Sequence, residues 1–272
     1  MYKRQAPVTH WVWGGGILSS WGTMDFAGGI VVHATAGTAA LVTALTLGKR
    51  RGFPKSITPP HSPILTMIGA SMLWIGWFGF NAGSALGANG GASMAMLVTH
   101  ISAATASLVW MFIEWKRFGK PSLIGIVTGM VAGLATVTPA SGYIGVPGGL
   151  ILGFLGGLLC YLAVDYIRGK LQIDYSLDVL AVHGVGGILG TLFVAFLATS
   201  SFSRLGLTEG QTGISQFIIQ LKAVVLTVVW TSFFTYLILK LTSLIVSLRV
   251  DEQEEIEGLD LRSHGEKGYH SD

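Results

Sequence analysis

Charge is missing from this sequence in long blocks, and that absence constrains the fold more than any single motif. Residues 56–113 contain no Asp, Glu, Lys or Arg over 58 positions, residues 121–164 none over 44, and residues 179–203 none over 25. An average soluble chain is about 25% charged, whereas this one is 11% charged over 272 residues. Hydrocarbon is the solvent that permits such blocks, and a helix needs about 20 apolar residues to cross it. The sequence therefore predicts an all-α polytopic membrane protein rather than a water-soluble globule.

Seven candidate spans follow, at roughly 27–47, 63–86, 92–113, 122–138, 149–167, 179–199 and 217–248. The fourth is short. The last is long and carries Lys222 and Lys240 near its ends, which predicts a tilted helix whose lysines reach for the interfaces. Residues 1–250 form the membrane domain and residues 251–272 a charged tail that holds eight of the 14 acids. Glycine, at 38 residues, is about double its usual ~7% share. In apolar helices that excess predicts backbones brought close together.

Lys and Arg set the direction of the spans. Lys49, Arg50, Arg51 and Lys55 follow the first, Lys116, Arg117 and Lys120 the third, Arg168 and Lys170 the fifth, while the alternate connections hold only Arg204. The positive-inside rule makes the first set cytoplasmic. The tail, with Arg249, Arg262 and Lys267, falls on the same side, giving a multi-pass protein with a cytoplasmic C-terminus. Lys3 and Arg4 break the pattern and read as a foreign or truncated start, and no signal peptide can be read there. The net charge of +3 sits in short clusters between apolar runs, so no nucleic-acid partner is expected. Cys160 is the single cysteine; it reads as packing, with no disulfide, no metal site and no cofactor expected.

Only six acids precede the tail, and ionisable side chains inside the spans are few. Asp25 opens the first span in Asp25-Phe26-Ala27-Gly28-Gly29, where it can cap orphan backbone N–H groups or hold a fixed charge near an outer vestibule. His33 and His183 lie inside the first and sixth spans, each in His-x-x-x-Gly after an aspartate, Asp25 or Asp178. Those spans run in opposite directions, which predicts an inverted repeat with the two histidines meeting near the midplane. His100 lacks this pattern and reads as structural. Trp77, Phe80 and Ser84, at i, i+3 and i+7, share one helix face among small residues, a stripe that either packs the core or narrows a passage where rings attract a cation. Ser84 has no Gly-x-Ser-x-Gly setting and no His-Glu-x-x-His occurs, so the chain is not expected to be an enzyme.

At these residues the sequence resembles the ammonium transporter family, the Amt/Mep/Rh proteins, and its bacterial Amt branch in particular. The resemblance runs from Val12-Trp13-Gly14-Gly15-Gly16 through Asp25 to Gly29 with His33, Trp77 to Ser84, Thr138-Pro139-Ala140-Ser141-Gly142-Tyr143 and Asp178 with His183. It continues to Gly258-Leu259-Asp260 and His264-Gly265-Glu266. It implies an eleven-span fold of two inverted five-span repeats, assembled as a homotrimer with a pore in each subunit. The chain would hold the C-terminal part, about seven spans plus the end of another, starting near the end of the family's fourth span. The outer phenylalanine and most of the first repeat would then be absent, leaving one side of the pore open.

The same resemblance implies that His33 and His183 are paired pore histidines, that Phe80 is one of two gating phenylalanines and that Trp77 lines the pore. Trp13 and Ser84 would recruit ammonium at the outer mouth, supported by Asp25. Gly258, Leu259 and Asp260 would belong to a regulatory tail that packs beneath neighbouring subunits, with Leu259 and Ile256 anchored in a groove and Asp260 paired to the Lys49–Lys55 loop. A PII-class, GlnK-like protein would plug the cytoplasmic mouth. The implied activity is recruitment of ammonium, deprotonation and passage of ammonia, with an ammonium sensor of the same fold as the alternative.

Overall fold

The computed structural model describes residues 2–56, 59–200, 202, 207 and 209–268, with the side chains of residues 2 and 3 left aside. Arg204 lies outside the described residues. The main helices in chain order are α1 (Tyr2–Trp13), α2 (Gly29–Leu47), α3 (Pro63–Gly83), α4 (Gly90–Phe118), α5 (Leu123–Val137), α6 (Val146–Gly169), α7 (Leu180–Leu197), α8 (Gly213–Ser243) and α9 (Glu252–Glu257), with short helical turns at Ile17–Ser20 and Asp260–His264. No strand occurs among the described residues.

Six of these helices, α2, α3, α4, α6, α7 and α8, are long and apolar enough to cross a membrane. The fourth expected span is met by α5, whose 15 residues cover about 22 Å at 1.5 Å per residue, less than a hydrocarbon core of about 30 Å. A hydrogen-bonded run of turns, Ala140 N to Val137 O at 2.9 Å and Tyr143 N to Ala140 O at 2.8 Å, carries the chain onward to α6. The last span is shifted from the expected 217–248 to Gly213–Ser243. Thr212 and Ser215 form a reciprocal cap there that starts the helix earlier than hydropathy alone indicates.

Glycine spacing explains how α4, α5 and α6 pack. Gly125, Gly129 and Gly133 recur every four residues on α5, and Gly149, Gly153 and Gly157 do so on α6. A β-carbon at Gly129 would lie 2.8 Å from Ala106 O, one at Gly153 2.6 Å from Ser102 O, and one at Gly157 2.9 Å from Ala106 O. Two glycine ladders thus grip α4 along its Ser102–Ala106 stretch. Ser102 Oγ reinforces the grip by donating to Gly133 O at 2.8 Å. Small residues at helix contacts are the usual route to close association where lipid gives no hydrophobic drive.

The helix that follows is held on all sides. α7 packs on α2, α5, α6 and α8, and 56% of its span is buried. α3 is the opposite case, packing on α4 and α5 with 6% buried and Ile64, Leu65, Ile68, Met72 and Ile75 exposed. Its unpartnered face is apolar, as lipid or another apolar protein surface requires.

At the basic end of the bundle, Arg50 pairs with Asp174 at 3.1 Å and Arg117 with Asp165 at 3.1 Å. The tail folds back over this end. Glu255 Oε1 accepts from Arg51 N at 2.7 Å, and its Oε2 accepts from Arg249 at 2.8 Å, while Arg249 also donates to Leu47 O at 3.2 Å. The expected pairing of Asp260 with the Lys49–Lys55 loop is corrected here: Glu255, with Glu252 at 3.9 Å from Arg51, holds the loop. A helical turn after Asp251 brings those two side chains to the loop, whereas Asp260 comes after the break at Gly258. Ile256 and Leu259 are both exposed on this single chain, and Leu259 edges a crevice of about 900 Å³ beside Arg249 and Glu255.

Candidate functional site

α2 and α7 both begin with a π-helical turn, Gly29–Ala34 and Leu180–Val185, and each turn carries one of the two histidines. A π turn re-aims the side chains it contains relative to the α-helix beyond. The His-x-x-x-Gly spacing then acts across the pair. A β-carbon on Gly37 would strike the backbone of Gly184, and one on Gly187 would strike Cβ of His33. The missing side chains let α2 and α7 approach until His33 Nδ1 and His183 Nδ1 are 3.1 Å apart.

That contact has a chemical consequence. Two nitrogens sharing one hydrogen bond hold a single proton between them, so in the neutral pair one Nε2 is a donor and the other an acceptor. His33 Nε2 is buried and has no protein partner.

Aromatic rings cover the pair. Trp77 stacks on His33 with centroids 5.3 Å apart at 22° and lies 6.3 Å from His183 at 9°. Phe80 is 6.3 Å from His33. Trp77 Nε1 donates to Thr138 Oγ1 at 3.0 Å, which fixes the indole; Thr138 was visible in the sequence only as part of the Thr138–Tyr143 motif. These rings and both histidines line a largely apolar cavity of about 690 Å³ together with Met72, Leu73 and Gly76 of α3.

The remaining candidates are arranged less simply. Ser84 lies beyond the end of α3, is not part of the cavity wall, and donates to Phe80 O at 2.9 Å. The expected Trp77–Phe80–Ser84 face therefore splits, with two rings on the cavity and a hydroxyl closing the helix end. Asp25 is buried at 2% exposure and its carboxylate accepts from Gly28, Gly29, Ile30 and Val31 N–H at 2.9, 2.6, 2.8 and 3.2 Å. Four amide donors at a helix start satisfy the carboxylate, so it is a cap and not a charge facing solvent. Asp25 O accepts from Trp13 Nε1 at 2.8 Å, and the Trp13 ring stays 47% exposed.

Asp178 does not repeat the role of Asp25. It pairs with Arg168 at 2.9 Å, and burial pushes its carboxyl up to about 6 even with that arginine beside it. His100 stacks on Trp74 at 5.1 Å, outside the cavity wall. Among the described residues no cluster of His, Cys, Asp and Glu is placed to hold a metal.

The sequence profile of the Ammonium Transporter Family matches residues 4–269. The chain belongs to the ammonium transporter family. Relatives include the ammonium transporter Amt1 of Archaeoglobus fulgidus, 48% identical over 97% of this chain and 67% of that one. The ammonium transporter of Aquifex aeolicus is 45% identical over 97% of this chain and 61% of that one. This family member thus spans about two thirds or less of the length of such relatives. Among solved structures, Mep2 of Candida albicans superposes with a TM-score of 0.83 at 36% identity, over 96% of this chain and 60% of that one. A sensor Amt protein superposes with 0.86 at 30% identity, over 94% and 66%.

Proposed function

We propose that the intact protein carries ammonium across the plasma membrane, recruiting the cation at the outer mouth and passing it inward as ammonia past the His33–His183 pair. The observation that carries this reading is the 3.1 Å contact of the two imidazoles within an apolar, aromatic-walled cavity. An unpaired cation entering such a space loses its hydration at a cost of many kcal/mol, so the proton is separated from ammonia before passage. The pair suits that step because its neutral form always offers one acceptor nitrogen, and imidazole exchanges protons near neutral pH.

Trp13 supplies a ring face for cation–π attraction at the outer mouth, Ser84 adds a hydroxyl there, and Asp25 supports that mouth by fixing the start of α2. Phe80 gates and Trp77 lines the path. In this reading the protein is a homotrimer, its basic end and tail are cytoplasmic, and Gly258, Leu259 and Asp260 belong to a regulatory tail on which a PII-class protein can act. Uptake of radiolabelled methylammonium by transport-deficient cells tests the function. Saturable uptake that disappears or changes ion selectivity in both His33→Ala and His183→Ala is expected; wild-type uptake in both variants excludes the histidine route. A chain that binds ammonium without moving it is a sensor.

A further inference from the structure

Two glutamines of α8, Gln216 and Gln220, are fully buried, one helical turn apart near the start of the helix. Polar side chains inside a membrane helix are costly unless satisfied and tend to mark function. Gln220 is satisfied in an unusual way. Its Nε2 donates to Met24 O at 2.6 Å and to Thr191 O at 2.9 Å, while its Oε1 accepts from Met24 N at 2.9 Å. The amide therefore pairs both backbone groups of Met24, as a neighbouring strand would. Gln216 stands behind it, with Nε2 donating to Gly22 O at 3.1 Å and to Gln220 Oε1 at 3.2 Å.

The clasped segment has no regular structure of its own from Thr23 to Asp25. Asp25 follows Met24 directly; its carboxylate caps α2, and its carbonyl orients the Trp13 indole. Thr191, the other partner of Gln220, sits on α7, the helix that carries His183. One side chain thus ties the Trp13–Asp25 loop to the helix of the second histidine.

We propose that Gln220, backed by Gln216, is a positioning residue of the outer recruitment site: by clasping Met24 it fixes the Asp25 carbonyl that orients Trp13, and so sets affinity for ammonium. The inference rests on the transport reading above and adds to it a determinant buried in α8.

Gln220→Met keeps the length of the side chain and removes its hydrogen bonds. Measured with methylammonium, KM rises about tenfold while Vmax per inserted protein stays within about twofold. In a Trp13→Ala background the same substitution changes KM by less than about twofold, because the orientation of an absent indole has no effect. Equal, multiplicative effects in both backgrounds, or a lower Vmax at unchanged KM, overturn the proposal. Gln220→Glu, which keeps the acceptor for Met24 N but sets a carboxyl oxygen against the Met24 and Thr191 carbonyls, is the second variant should the first fail to insert; a raised KM is expected, and a wild-type KM overturns the proposal. Amide hydrogen exchange at residues 23–26 reads the clasp without transport. Faster exchange in Gln220→Met is expected and unchanged exchange overturns the clasp, whereas a wild-type chain that carries no methylammonium sinks the transport reading alone.

Discussion

Gly187 lies where a β-carbon would run into Cβ of His33 and would sit 3.1 Å from Gly29 O. The helix of one histidine therefore owes its distance from the other to a side chain that is not there. Gly187→Ala forces α7 away from α2 at an overpacking cost of about 1–3 kcal/mol and lengthens the 3.1 Å imidazole contact. Methylammonium uptake is expected to fall at least tenfold while the protein still inserts; wild-type uptake at equal membrane abundance separates transport from the histidine contact.

Asp25 is the acceptor for four amides at the start of α2. Asp25→Ala leaves them without a partner in a buried site, a loss of about 2 kcal/mol or more. Thermal unfolding in detergent should show that loss, with Asp25→Asn intermediate because one acceptor oxygen remains. Equal stability of all three proteins contradicts the capping role.

Phe80 is 40% exposed and lines the cavity beside His33. Truncation to alanine removes a ring without touching a hydrogen bond of its side chain, so the expected result is a wider passage that admits water. Stopped-flow shrinkage of proteoliposomes measures this directly. No gain in water permeability, together with unchanged methylammonium flux, assigns the ring to packing.

The tail is latched by Glu255, which receives Arg249 and the Arg51 amide. The Arg249 hydrogen bond leads the causes that hold its carboxyl below the ordinary glutamate value of 4.5. A depressed acid stabilises the latch above its unfolded pKa and loses it as pH falls, so the latch stays closed from pH 5 to 8 and opens only in stronger acid. Limited proteolysis of residues 251–268 should follow that profile. Glu255→Gln should expose the tail at neutral pH, and protection equal to wild type rules out the latch.

Gly258 tests the tail differently. A β-carbon there meets nothing within 4 Å, but φ is +95°, so Gly258→Asp acts through backbone strain rather than bulk. Lower uptake at equal membrane abundance is the expected outcome, and unchanged kinetics exclude a regulatory part for this turn.

Spans were legible because hydrocarbon imposes its rule on every residue of a crossing, and the charge-free blocks located them without any knowledge of packing. Helix ends were less so: the early start of α8 rests on the Thr212–Ser215 cap, which hydropathy does not register. His33 and His183 stood out as ionisable groups in apolar runs, and their contact followed from the shared glycine spacing. The parallel between Asp25 and Asp178 did not survive, because Arg168 competes for the second aspartate, a partner ten residues away that no local pattern announces. Asp260 gave way to Glu255 for a similar reason, since the break at Gly258 decides which face of the tail meets the loop. Gln216 and Gln220 passed unnoticed because the partners that make them informative are mostly backbone atoms of a distant loop.

The glycine ladders on α5 and α6 carry a mechanical consequence. A contact made by backbone has no rotamers, so α4, α5 and α6 cannot loosen one side chain at a time, as an interface of leucines can. Those three helices are expected to move together. Any change between open and closed states is left to parts that still have torsions to turn: the Phe80 ring, the Trp13 loop and the latch at the basic end.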